Sequence, residues 1–347
     1  MRLHTDPRGE AYQQIIDIAI RKSEYFVLSE KLANAAEPKR RSHLEALEAL
    51  EPYLEKTVVI HGESIDEIMH VKKAYRSRAF YTAGTHYLYR CSAESGRILQ
   101  QLANRLSDWA FPHLPEDLCF LKQGGGDFLY SVVHEHMYGM EITEEEATEL
   151  SSAISGLFLD LKVHQDFDRL LDDAIRHRTD WLYISRHGLT ELPERIRELT
   201  ELRELEIFEQ DLYRLPEVLF ELSKLECLKI LTADLESIPA SISRLSNLRE
   251  LSVHCGSSDR PTPGWRVKPK EEISLNYIPP EIGELQNLQL LTIQYNSIHE
   301  LPLELLKLKN LRILNISMCM IKQKPGFLKQ MKQLGYVNVS QGEYETE

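Results

Sequence analysis

Residues 215–230, LPEVLFELSKLECLKI, carry the pattern that decides the fold. Counting from Pro216, the apolar residues Leu219, Leu222, Leu225, Leu228 and Ile230 fall 3, 6, 9, 12 and 14 positions later. Steps of three fit a tight turn or short helix rather than a strand, whereas the closing step of two is strand alternation. The stretch therefore predicts a turn or short helix running into a strand whose alternate residues enter the core.

The same count holds from Pro193, Pro239, Pro279, Pro302 and Pro325, and the prolines recur every 23 residues except for a step of 40 between Pro239 and Pro279. A fixed period of this length predicts a stack of like units, each burying its leucines against the next. With IPPEIGELQNLQLLTIQYNSI at 278–298, the pattern resembles the 23-residue leucine-rich repeat of the LPxxIxxLxxLxxLxLxxN type, over about residues 179–347. The resemblance implies an α/β solenoid with parallel strands on its concave face and a role in binding other proteins. At the family's Asn position, 17 after the proline, this chain has Gln210, Ala233, Gly256, Asn296 and Cys319, which implies irregular curvature or local softness there. WLYISRHGLTELP (181–193) supplies one more strand, and SGLFLDLKVHQDFDRLLDDAIRHR (155–178) reads as an amphipathic helix whose residues 159–178 cap the stack.

Residues 11, 13 and 15 after each proline point away from the core. They begin apolar at Trp181 and Tyr183, turn acidic at Glu204 and Glu206 beside Phe208, and end uncharged. With Tyr295 and Tyr336, these are the candidate partner contacts on the concave face. Glu250 and His254 leave the same strand roughly 13 Å apart, too far for an acid–base pair. The strands alone offer about 500 Å² against the ~800 Å² that one side of a standard interface covers, so an added element is expected. One exists: HCGSSDRPTPGWRVKPKEE (254–272) breaks the count and predicts a rim-loop insertion at about 256–272. Arg260, Arg266, Lys268 and Lys270 stand there against Asp259, with Trp265 among them, and Trp265 and Arg266 are of the types enriched at interface hot spots. A tolerated surface loop whose Trp folds back onto the flank is the alternative reading.

Residues 1–158 have no repeat. Helices and strands mix there: EAYQQIIDIAIRKSEYFVLSE reads as helix then strand, PKRRSHLEALEALEPYLEK as a helix with Leu44, Leu47 and Leu50 on one face, and TVVIHG and THYLYRC as strands. DLCFLKQGGGDFLYSVVHEHMYGMEI reads as a hairpin, and TEEEATELSSAI opens with a Thr143–Glu146 capping box. An α+β domain with an antiparallel sheet is predicted. SDWAFPHLPEDLCFLKQGGGDFLYSVVHEHMYGMEIT (107–143) resembles a bacterial module through its W-x-x-P-x-L-P-E-D-L-C-F stretch and a following His-Glu, over about residues 24–150. That resemblance implies no activity. On a strand, His134 and His136 would leave one face close enough to share a metal, with His86 or His113 as a third ligand; ordinary surface histidines are the competing reading. Gly124–Gly126 lacks the Lys-Ser/Thr pair and following helix of a phosphate loop and reads as a hairpin turn.

Net charge is −13, both halves are acidic, and the five cysteines form no Cys-x-x-Cys pair. A nucleic-acid or anionic-membrane partner is disfavoured and a reducing compartment favoured; with no signal-peptide or membrane-length apolar run, a cytoplasmic protein is expected. The sequence thus predicts a protein-binding scaffold, adaptor or regulator that needs no cofactor and has no catalytic residues. The alternative is an enzyme whose N-terminal domain holds an active or metal site and whose repeats select the substrate. Partner identity and oligomeric state are not written in the sequence.

Overall fold

The computed structural model describes residues 1–31, 41–62, 65–162, 166–256 and 268–339. The chain divides into two compact units, residues 1–161 and 162–347.

In the first unit, helices α1 (Glu10–Lys22), α2 (Arg41–Leu50), α3 (Ile65–Tyr75), α4 (Ala93–Leu102) and α5 (Glu144–Ala153) accompany six strands. These are β1 (Tyr25–Lys31), β2 (Leu54–Ile60), β3 (Gly84–Arg90), β4 (Glu116–Leu121), β5 (Asp127–Val132) and β6 (Met137–Met140). They form one antiparallel sheet in the order β2-β3-β1-β4-β5-β6. Val27, Ile60, Phe80, Leu88, Cys119 and Leu121 make a core against which Ile68, Val71 and Tyr75 of α3 pack. On the alternate residues Phe26 stacks against Tyr89 at 5.1 Å. The W-x-x-P-x-L-P-E-D-L-C-F stretch is largely core. Trp109, Leu118, Cys119 and Phe120 are fully buried, and Trp109 Nε1 donates to Tyr12 Oη at 2.9 Å.

The capping box at Thr143 forms as read. The α2 face does not. His43, Ala46 and Leu50 are buried while Leu44 is 49% exposed, because His43 Nε2 meets the Glu30 carboxylate at 2.8 Å and sets the rotation of the helix. The glycine run is the β4–β5 turn, with positive φ at all three residues. Gly125 N donates to Lys122 O and Gly126 N to Tyr75 O, so those two amides are already spent.

The second unit opens with α6 (Phe167–Arg176), shorter than the helix predicted over 159–178. The Asp166 carboxylate caps it by accepting from Asp168 N and Arg169 N, and upstream Leu157, Phe158, Leu159 and Leu161 are buried in non-helical chain, with Leu159 bridged to Leu3. Then come seven parallel strands: β7 (Trp181–Ser185), β8 (Glu204–Phe208), β9 (Cys227–Thr232), β10 (Glu250–Cys255), β11 (Leu290–Gln294), β12 (Ile313–Ile316) and β13 (Tyr336–Val339). Each repeat proline lies in extended conformation immediately before a 3₁₀ turn of five residues, the geometry that steps of three predicted. The counted apolar residues are buried throughout the first five repeats. In the last, Leu328 and Met331 are buried but Leu334, Val337 and Val339 are half-buried.

Strand register runs unshifted from β7 to β13, across the insertion as well as elsewhere. Other side chains take over where Asn is missing. Asn296 is buried, with Nδ2 donating to Ile293 O at 3.2 Å and Oδ1 accepting from Ile298 N at 2.9 Å. Cys319 Sγ reaches the equivalent carbonyl, Ile316 O, at 3.3 Å, and Thr232 Oγ1 reaches Leu212 O at 2.6 Å. Glu209 serves the preceding turn, where its carboxylate accepts from His187 N (2.6 Å), Gly188 N (3.0 Å) and Leu189 N (3.3 Å).

The insertion is fixed at both roots. Gly256, at φ +90, lies so close under the Tyr295 ring that a Cβ there would meet Cδ1 at 2.1 Å. At the other root, the buried Asp234 carboxylate accepts from Ser274 N (2.7 Å), Ser274 Oγ (3.0 Å) and Lys268 Nζ (2.6 Å). Trp265 and Arg266 lie outside the described residues.

Glu209→Ala leaves three amide hydrogens without their acceptor and is expected to lower the stability of the solenoid by about 2–4 kcal/mol. A fall in the urea midpoint measures it, and Glu209→Gln, which keeps one oxygen, should lose less.

Candidate functional site: the open face of the solenoid and the N-terminal polar cluster

Parallel register turns the outward side chains of the solenoid into rows that cross the sheet. One row is Trp181, Glu204, Cys227, Glu250, Leu290, Ile313 and Tyr336; the next is Tyr183, Glu206, Lys229, Ser252, Thr292, Asn315 and Asn338. The third runs Ser185, Phe208, Leu231, His254 and Gln294.

The predicted contact residues fall into different environments on this lattice. Trp181, Tyr183 and Glu206 are buried, with Trp181 Nε1 donating to Glu206 Oε1 at 3.3 Å and the Tyr183 ring 5.4 Å from that of Phe208. Tyr295 is also buried, because its left-handed backbone lays the ring over Gly256. Glu204 and Phe208 are half-buried and Tyr336 is exposed.

Between β8 and the residues after β12 the face is hollowed by a cleft of about 310 Å³, lined by Phe208, Lys229, Leu231, Ser252, His254, Gln294 and Met318 among others. Its floor is apolar and its edge offers hydrogen-bonding groups. Lys229 Nζ lies 3.5 Å from the Glu250 carboxylate, so that charge is already paired. Met318 reaches the cleft from a left-handed backbone (φ +55), a position that the repeat count does not single out.

The N-terminal unit holds a denser polar cluster around Asp117, which stands at φ +60 where the β1–β4 register shifts by a residue. Its Oδ1 accepts from Val133 N at 2.8 Å; its Oδ2 accepts from Tyr81 Oη at 2.7 Å and faces Lys31 Nζ at 2.9 Å. Lys31 Nζ also meets Glu116 Oε2 at 3.0 Å and His134 Nδ1 at 2.9 Å, so its three hydrogens have three acceptors. Burial, then the Asp117 charge, pushes the Tyr81 hydroxyl far up, and it stays protonated.

This arrangement overturns the strand placement of His134 and His136. Residues Val133–Glu135 form a 3₁₀ turn, begun where Asp117 holds Val133 N, and His136 is left-handed. The two imidazoles do not share a strand face: His134 Nδ1 looks at an ammonium, and the His136 ring lies edge-on to Tyr138. His86, one proposed third ligand, is buried with Nδ1 at Ser29 Oγ (2.8 Å) and Nε2 at Thr82 O (3.2 Å). Among the described residues no cluster of His, Cys, Asp or Glu is placed to hold a metal ion.

Sequence reasoning missed Asp117, Glu209 and Asp234. An isolated acid beside a strand carries no local signal when its partners lie in other segments of the chain.

No family model matches the chain, and no curated protein matches it. Solved structures similar to part of it are leucine-rich repeat proteins. The leucine-rich repeat domain of the type III effector XopL is 24% identical, over 50% of this chain and 57% of that one, with a TM-score of 0.41. A Leptospira interrogans leucine-rich repeat protein is 26% identical over 44% of this chain and 41% of its own, with a TM-score of 0.33. An internalin from Listeria monocytogenes is 16% identical over 48% and 44%, with a TM-score of 0.36. The matched part spans less than two thirds of each of those chains. The seven-stranded parallel sheet and its repeat fit a leucine-rich-repeat solenoid. No helix among the described residues is long and apolar enough to cross a membrane.

One pH dependence follows from the cluster. Burial pulls His86 from 6.5 down to about 4. The folded state then binds fewer protons than the unfolded one in that window, so its stability is complete above about pH 6.5 and falls as the pH drops towards 4. The loss expected for the N-terminal unit is about 3 kcal/mol. Urea midpoints at about pH 7 and about pH 5 measure it, and His86→Asn should flatten this part of the profile.

Proposed function

We propose that the chain is a cytoplasmic protein-binding module that takes its partner on the concave face of the solenoid and works by surface complementarity. Stacked repeats of this kind mostly supply surfaces, and the sheet here offers side chains that its own core does not use. The observation that carries the reading is the cleft of about 310 Å³ on that face, where Phe208, Leu231 and Met318 give an apolar floor beside Ser252, His254 and Gln294. An apolar floor with a hydrogen-bonding edge suits an anchoring side chain of a partner. Glu204, Phe208 and Tyr336 are contact residues in this reading; the buried Trp181, Tyr183, Glu206 and Tyr295 buttress them. The rim segment bearing Trp265 and Arg266 is an added contact, since its roots at Gly256 and Lys268 are tied to Tyr295 and Asp234 at the strand ends.

Full-length protein, immobilised and offered a lysate of the source organism, tests this. A specifically retained protein should be lost by at least about tenfold when Ser252→Arg fills the cleft. Leu303→Arg, on an exposed 3₁₀ turn, should retain it. Retention indifferent to both Ser252→Arg and Phe208→Ala would remove the partner from this face.

A further inference from the structure

The outward rows change in accessibility and in charge from the first strand to the last. On β7, Trp181 is 1% exposed and Tyr183 5%, while Ile313 on β12 reaches 36% and Tyr336 on β13 reaches 50%. The face is therefore closed at its first strand and open at its last.

Leu290, Ile313 and Tyr336 are direct register partners, which makes them a single apolar ladder across β11–β13. Beside it runs a second ladder of Thr292, Asn315 and Asn338, and Gln294 continues the third row with its Nε2 donating to Ser317 Oγ at 2.8 Å. None of these residues is charged. The charged side chains of the rows, Glu204, Glu206, Lys229 and Glu250, all stand on β8–β10. Asn315 adds an independent sign of a missing partner, for its Oδ1 is withdrawn from water and accepts no hydrogen bond. A buried carbonyl in that state costs free energy unless a donor reaches it.

Size and charge select the occupant. The sector measures roughly 10 Å across its three strands and about 13 Å along them, far short of the ~800 Å² per side of a globular interface. It is matched instead by a short extended segment, in which side chains alternate and backbone N–H groups remain free to donate. A charged side chain set down here would lose hydration and find no counter-charge on β11–β13. Resting on the reading of this face as the partner surface, we propose that the β11–β13 sector takes a short, extended, uncharged segment of a protein partner. Its apolar side chains lie on the Leu290–Ile313–Tyr336 ladder, and one of its N–H groups donates to Asn315 Oδ1.

Three pools of short synthetic peptides offered to the immobilised full-length protein test this. All alternate randomised apolar residues with polar ones; the polar positions are Ser, Thr, Asn or Gln in the first pool, Lys or Arg in the second, and Asp or Glu in the third. Enrichment is expected from the uncharged pool. It should fall at least about tenfold in Ile313→Asp and in Tyr336→Ala, fall also in Asn315→Leu, and persist in Glu204→Gln. Ile313 and Tyr336 are exposed, so both of those variants should unfold at the wild-type midpoint, and Ile313→Ser repeats the test without a charge.

Enrichment of the basic pool that depends on Glu204 or Glu250 would overturn the inference and leave the partner-surface reading standing. Enrichment of no pool would overturn it too. A concentration-dependent dimer that Ile313→Asp abolishes would give the sector to a second copy of the chain instead. Indifference of every bound peptide and of every captured protein to all open-face variants would sink both readings.

Discussion

One backbone carbonyl per repeat holds the solenoid in register. Asp180 O accepts from both Arg203 N and Glu204 N, and the same double acceptance recurs at Arg203, Glu226, Arg249, Gln289 and Arg312, each for the two residues that start the next strand. Buried backbone donors must be paired, so each strand start depends on the repeat before it. The side chains of these positions add to the tie, since Glu226 is paired with Arg203 on one side and with Arg249 at 3.2 Å on the other. Such exposed pairs contribute little singly. The carbonyl row and the buried leucines beneath it are the obligatory part, and they fix where every outward side chain stands.

That constraint explains why the solenoid was legible. A count of apolar residues is a statement about one repeat and its neighbours, and the structure meets it turn for turn, from the 3₁₀ segments to the unbroken register across the insertion. What the count does not contain are contacts made at long range. The rotation of α2 follows from Glu30, the short α6 from an Asp166 cap that lies after the apolar run, and the turn at His134 from Asp117 on another strand. In each case local periodicity was real and a distant polar partner overruled it. Exposure was illegible for the same reason: the outward positions of β7 and β13 look alike in sequence, yet Trp181 is buried and Tyr336 is not.

The two polar assemblies also differ in what they leave available. Around Lys31 and Asp117 the donors and acceptors are directed at one another: an ammonium with three acceptors, a carboxylate with a backbone amide, a hydroxyl and a cation. A buried network satisfied in this way fixes the strand bulge and the turn after β5. The open face does the reverse, with apolar side chains in water and an acceptor that lacks a donor.

The 17 inserted residues show how a repeat stack accommodates an addition without losing register. Lengthening a loop costs little closure entropy, because the cost grows only with the logarithm of its length. The larger risk is mechanical, since a mobile root would strain the strand that precedes it or the leucines that follow. Both roots are removed from that risk by single residues. Gly256 gives the sharp exit that a side chain would block against Tyr295, and Asp234 seizes the returning chain at Ser274 and Lys268, one residue before Leu275 re-enters the core. The Asp234 carboxylate thus does for the interrupted repeat what Glu209 does two repeats earlier. It supplies, from a neighbouring turn, the hydrogen-bond acceptor that a regular repeat takes from its own conserved position in the count.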